Sequence, residues 1–180
     1  AERTLAQLKQ EAADQAAAHA VIGKINAIGE VSLESEPAIQ AARTAYEALT
    51  EAQKKLVQAD ALQVLAAAEQ ALETLKQEAA DQAAAKAVES KIASIGEVSL
   101  ESALAITEAR EAYEALTEAQ KKLVQADAFQ ALAAAEQRLK ELQEQATQEA
   151  LDRAAAEAVI QKIAGIGEVS LESEALLAEA

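Results

Sequence analysis

Residues 61–95 read ALQVLAAAEQALETLKQEAADQAAAKAVESKIASI, about 35 positions with no glycine, no proline and no cluster of turn-forming residues. Alanine, leucine, glutamate, glutamine and lysine dominate the stretch, and these residues lose least on entering a helix. The reading is one uninterrupted helix of about 50 Å. Asp60 followed by Gln63 is an N-cap signal, so the helix is predicted to start at about residue 61. Leu62, Leu65, Leu72 and Leu75 stand close to helical spacing in its first half, and Val88, Ile92 and Ile95 do so in its second. Two apolar sets along one helix imply that it serves two bundles.

The sequence around this stretch repeats. GEVSLES occurs at 29–35, 96–102 and 167–173, at spacings of 67 and 71 residues. AAAEQ at 66–70 and 133–137 keeps the spacing of 67, whereas Ala87-Val88 and Ala158-Val159 stand 71 apart, which places a four-residue insertion between 138 and 157. Residues 45–63 recur as 112–130 with one change, Leu62 to Phe129, and residues 1–12 align with 68–79. A fixed period of this size marks a tandem array. The expected organisation is the tail of a preceding repeat at 1–12, repeats at 13–78 and 79–145, and an incomplete third repeat at 146–180. With no methionine anywhere, the chain is expected to be a fragment, a processed form or a recombinant product.

Within one period, Gly29 is expected to close a helix at Ile28, because glycine takes the left-handed conformation at little steric cost; Gly96 and Gly167 repeat it. Ser35 reads as the N-cap of the next helix, with Pro37 in its first turn. Ile39, Ala42, Tyr46 and Leu49, spaced by 3, 4 and 3, form one apolar face of a helix running to about Leu49, and Ile106, Ala109, Tyr113 and Leu116 repeat that face. Thr50 with Gln53 is a capping box opening a short helix that carries Leu56 and Val57. Val31 and Leu33 are expected to plug the bundle end. The fold class expected is all-α: tandem three-helix bundles sharing continuous linking helices, drawn out into an elongated rod.

Composition narrows the function. Apolar residues make up 51% of the chain, most of them alanine, while aromatics make up 2%, which removes the usual lining of ligand pockets. A net charge of −15 works against nucleic acid and anionic membrane surfaces, both of which attract basic patches. No run of 18 apolar residues is present, and the opening AERTLAQLKQ has neither the basic stretch nor the apolar segment of a signal peptide. The absence of cysteine excludes disulfides and thiolate sites and leaves the compartment open.

The motif I-G-E-V-S-L-E-S at 28–35, then A-I-x-x-A-R-x-A-Y-E-A-L-T-E-A-Q-K-K-L-V, then L-x-x-L-A-A-A-E, resembles the helical stalk repeats of cell-wall-anchored surface proteins of Gram-positive bacteria, over residues 13–180. The resemblance implies three-helix bundles chained by shared helices, as in spectrin, in natural form or as a consensus or redesigned version. It implies a spacer or display role and carries no catalytic residue. The implied location is the extracellular cell wall for a natural stalk, and a recombinant product for a designed one.

No residue set suggests chemistry. His19 is the only histidine, and Lys86 and Glu157 replace it in the other copies, so it reads as a solvated helix residue. Glu30, Glu34, Glu97, Glu101, Glu168 and Glu172 are carboxylates near helix starts whose spacing fits no EF-hand loop. Tyr46 and Tyr113 lie on the core stripe. Glu51 with Lys55, and Glu118 with Lys122, stand at the i, i+4 spacing of helix ion pairs, and Gly23 and Gly165 interrupt helical stretches. Catalytic residues, metal, cofactor, small-molecule substrate, nucleic acid and membrane are therefore not expected.

The function expected is a structural spacer or scaffold rod; the alternative is a protein-binding repeat module that uses one face of the rod. Val159, Ile160, Ile163 and Ile166 form an apolar stripe in the incomplete third repeat. That stripe is expected to make a homodimer, to be continued covalently in a longer protein, or to fray.

Overall fold

The computed structural model describes residues 4–166. The protein is all-helical: every regular element among these residues is a helix. The chain divides into two compact units, Ala1–Ala83 and Ala84–Ala180. The first contains α1 (Leu5–Asn26), α2 (Glu36–Glu47), α3 (Glu51–Lys54) and the start of α4 (Ala59–Ala93). The second contains the end of α4, α5 (Ala103–Glu114), α6 (Glu118–Lys121) and α7 (Ala126–Ile166). The 35 residues of α4 run without a break, as the absence of glycine and proline predicts. The 41 residues of α7 are equally continuous, so the four-residue insertion is taken up inside a helix with no loop.

Local chemistry sets the ends. Thr4, Thr50 and Thr117 each cap a helix: the hydroxyl accepts from the backbone N–H of Gln7, Gln53 or Gln120, and that glutamine accepts from the threonine's own N–H. Gly29 and Gly96 have φ of +63° and +62°, the left-handed closure expected of them. Gly167 lies outside the described residues.

Four boundaries differ from the sequence reading. Ser35 is not the extended cap; it already has helical torsions, φ −75° and ψ −9°. A 3-10 turn over Leu33–Ser35 starts the winding early, so Ser32 is the extended residue (φ −133°, ψ 175°), and its N–H donates to Ser35 Oγ at 3.0 Å. Winding at Leu33 also turns that side chain outward, so Val31 packs on the core while Leu33 stays exposed. α2 ends at Glu47 rather than near Leu49. α4 begins at Ala59: the Gln58 carbonyl accepts from Ala61 and Leu62 N–H, which leaves Asp60 in the first turn, favourable toward the helix dipole but not the cap. α3 stops at Lys54, and of the pair expected on it Val57 is buried in the following turn while Leu56 is exposed.

Each unit has its own core. In the first, Ala18, Val21, Ile25 and Ile28 meet Ile39 and Ala42 of α2, Val57, and Ala61, Leu65, Ala68 and Leu72 of α4. In the second, Val88 and Ile92 of α4 meet Ile106 and Ala109 of α5 and Leu132 and Ala135 of α7. Both cores mix alanine with branched aliphatics; the small residues admit close backbone approach, and the large ones fill the remaining space.

Candidate functional site

The most organised polar groups tie helices together. Arg43 directly follows the buried Ala42, and Glu69 directly follows the buried Ala68, so both reach the rim of the same helix contact. Arg43 donates through Nε and Nη2 to the two carboxylate oxygens of Glu69, both at 2.6 Å. Arg110 and Glu136 repeat this geometry between α5 and α7, again at 2.6 Å on both arms. Two parallel donors on one carboxylate fix orientation as well as distance. Hydrogen bonding to Arg43 holds the Glu69 carboxyl below its usual range, and the same bonds raise the Arg43 guanidinium. With both oxygens engaged, this carboxylate is a tether rather than a proton carrier.

Aromatic rings back the tethers. Tyr46 and Tyr113 lie half-buried against their cores, the positions expected of them, with the Arg43 and Arg110 guanidinium carbons each 5.9 Å from the ring centre. In the second unit Phe129 adds a ring 4.9 Å from Tyr113, and Arg110 lies 5.4 Å from it. Lys54 and Lys121 also lie 5.9 Å from the tyrosine rings. This placement corrects the expected ion pairs: Glu51 pairs with Lys54 at 3.0 Å and Glu118 with Lys121 at 3.1 Å, three residues on instead of four.

Glu69 supplies a pH test. A depressed folded-state pKa contributes stability that is present above the unfolded value, about 4.3, and is lost as pH falls through the folded value. Glu69→Gln is expected to cost about 0.5–1 kcal/mol at neutral pH, a modest figure because both partners are about a third exposed. Thermal melts should show the difference closing at acid pH; a gap of constant size would contradict the assignment.

The other residues marked in the sequence fall on open surface. His19 is exposed on α1, as are Glu30, Glu34, Glu97 and Glu101 in the two connections. Among the described residues no three His, Cys, Asp or Glu side chains are placed to hold a metal ion. Glu168 and Glu172 lie outside those residues. Gly23 and Gly165 sit inside α1 and α7 with open space around them. No helix among the described residues is long and apolar enough to cross a membrane.

The two units are not identical. Lys76 of α4 donates to Glu36 of α2 in the first, where the second has Gln143 and Ala103. In the second, Glu89 accepts from the Gln125 N–H at 2.8 Å, where the first has Ile22 packed on the core. With Glu89 for Ile22 and Ala131 for Val64, the second unit carries an open groove of about 670 Å³ along Ile92, Ile95, Val98 and Ala128.

The tethers were missed in the sequence. The signal available was that Ala-Arg at 42–43 and Ala-Ala-Ala-Glu at 66–69 both recur 67 residues on. No protein-family model, curated protein or solved structure matches the chain.

Proposed function

We propose that the chain is a structural spacer: tandem three-helix bundles joined through shared helices into an elongated rod, the role that the stalk-repeat resemblance implies. One observation carries the reading. α4 is a single helix that gives Leu65 and Leu72 to the first core and Val88 and Ile92 to the second. A sharp bend within α4 would break backbone hydrogen bonds, which supports reading this helix of about 50 Å as a stiff link. α7 extends the device, and its insertion advances the third repeat by about 6 Å and rotates it by about 40°. The polar side chains brought together hold helices to one another, and the reading assigns the chain no reaction.

The absence of cysteine allows the test to be made with two labels. Ala16→Cys on α1 and Ala133→Cys on α7 both lie at exposed positions, one in each unit. Pulsed EPR between spin labels at these sites is expected to give one narrow distance distribution. A broad distribution, as from two bodies on a swivel, would overturn the spacer reading.

A further inference from the structure

The groove of the second unit lies where the repeat loses volume and gains charge. Glu89, Ala93 and Ala131 stand where the first unit has Ile22, Asn26 and Val64, and Arg138 stands where it has Ala71. Ile22 packs on the first core, whereas Glu89 accepts from the Gln125 N–H at 2.8 Å and lines the rim of an open space of about 670 Å³. Ala131 and Ala134 are exposed along its wall, and Ile92 and Ala135 are buried beneath it. The surface is aliphatic, and the volume it lacks is that of branched aliphatic side chains.

Its ends differ in charge. The bond to Gln125 sets Glu89 near the start of α7, beside Asp127, while Arg138 lines the groove about 16 Å, or three turns, further along α7. Arg138 pairs with Glu141 at 3.3 Å, both side chains about half exposed, which leaves guanidinium donors for a second anion. Small-molecule sites enclose most of their ligand, and this groove is open along its length. A helix laid in it would close it: alanine walls admit a close backbone, and aliphatic side chains on one face fill the missing volume. Helices favour acidic residues in the first turn and basic ones in the last. The charge-matched helix therefore runs antiparallel to α7.

We propose that this groove docks an amphipathic helix of a partner protein, about three turns long. Its aliphatic face fills the space beside Ala93 and Ala131, its acidic first turn meets Arg138, and its basic last turn meets Glu89 and Asp127. The docking goes beyond the spacer reading and uses residues of the second unit alone. A rod with nothing docked would still give the narrow EPR distance, so that reading and this one fail separately.

Fluorescence anisotropy with the full chain tests the proposal. The probe is the fluorescein-labelled peptide EELAQALAQLAKKL, which sets its leucines on one helical face between an acidic first turn and a basic last turn. Saturable binding of one peptide per chain is expected. Glu89→Ile combined with Ala131→Val installs the first unit's residues and should weaken binding about tenfold or more. Ala131→Val alone, at an exposed position, should also weaken it and serves should the double variant lose helix content. Arg138→Glu should weaken the probe about threefold and strengthen the charge-reversed peptide KKLAQALAQLAEEL, a crossed change that differing helicity of the two peptides would not produce. A probe that does not bind overturns the proposal, as does one that binds the filled variants like the parent. If the probe fails while decanoate binds the parent and not the double variant, the occupant is a small amphiphile. If it fails while the parent self-associates in sedimentation and the double variant does not, the occupant is a second copy.

Discussion

Leu65→Ala is expected to destabilise the protein by about 3 kcal/mol, with a range of about 2–5. Leu65 is completely buried where α4 crosses the first core, one of the largest fully buried side chains among the described residues, in the same cluster as Ala18, Val21, Ala42 and Val57. Truncation removes the transfer free energy of its side chain and leaves a cavity that flanking alanines are too small to fill. Val64, the preceding residue, is half exposed on the same helix. Val64→Ala therefore serves as the control and should change stability by no more than about 0.5 kcal/mol. Urea denaturation of the two variants would show the contrast as a shift in midpoint at constant slope. Equal midpoints would mean that Leu65 is not enclosed as described. Leu132, equally buried in the second core, should behave as Leu65 does.

That contrast between neighbours was only partly legible in the sequence. The helical spacing of Leu62, Leu65, Leu72 and Leu75 marked the stripe, and Leu65 and Leu72 are buried on it. Ala42 and Ala109 were legible on the apolar faces of α2 and α5, but Ala18, Ala61, Ala68 and Ala85 are buried as well, and nothing in the sequence separated these from solvated alanines. Alanine reads as a helix former wherever it stands; only the packing shows which alanines set the spacing between helices.

The continuity of α4 was legible because breaking a helix takes glycine, proline or a turn cluster, and residues 61–95 have none. The left-handed Gly29 and Gly96 were legible for the same reason, as was the Thr50–Gln53 box, whose partners are three residues apart. Ser35 does not cap α2 because Ser32 and Ser35 form a comparable pair one turn earlier, and either serine satisfies the cap rule on its own. The Arg43–Glu69 tether joins residues 26 positions apart. Helical periodicity says nothing about such a pair, since it depends on how two helices face each other.

Ala80→Pro is expected to have the other large effect, and it tests whether the shared helix couples the two units. Ala80 is exposed on α4, beyond Leu72 of the first core and before Ala85 and Val88 in the second unit. Its side chain contributes nothing to either core, so any effect comes from the backbone. Proline there removes one N–H donor and clashes with the carbonyl four residues earlier, at a cost of about 3 kcal/mol or more. If α4 couples the units, the parent should unfold in a single transition and the variant in two. Tyr46 and Tyr113 allow each half to be followed, since the chain has no tryptophan and only these two tyrosines. With Tyr113→Phe the tyrosine signal reports the first unit, and with Tyr46→Phe it reports the second. In the parent background the two signals should melt together, and in the Ala80→Pro background they should separate. Ala80→Gly, costing about 1 kcal/mol without breaking the helix, should lower the midpoint and keep the signals together. If Ala80→Pro leaves one transition at the parent's midpoint, α4 does not bind the two units into one cooperative body, and the spacer loses the element that stiffens it.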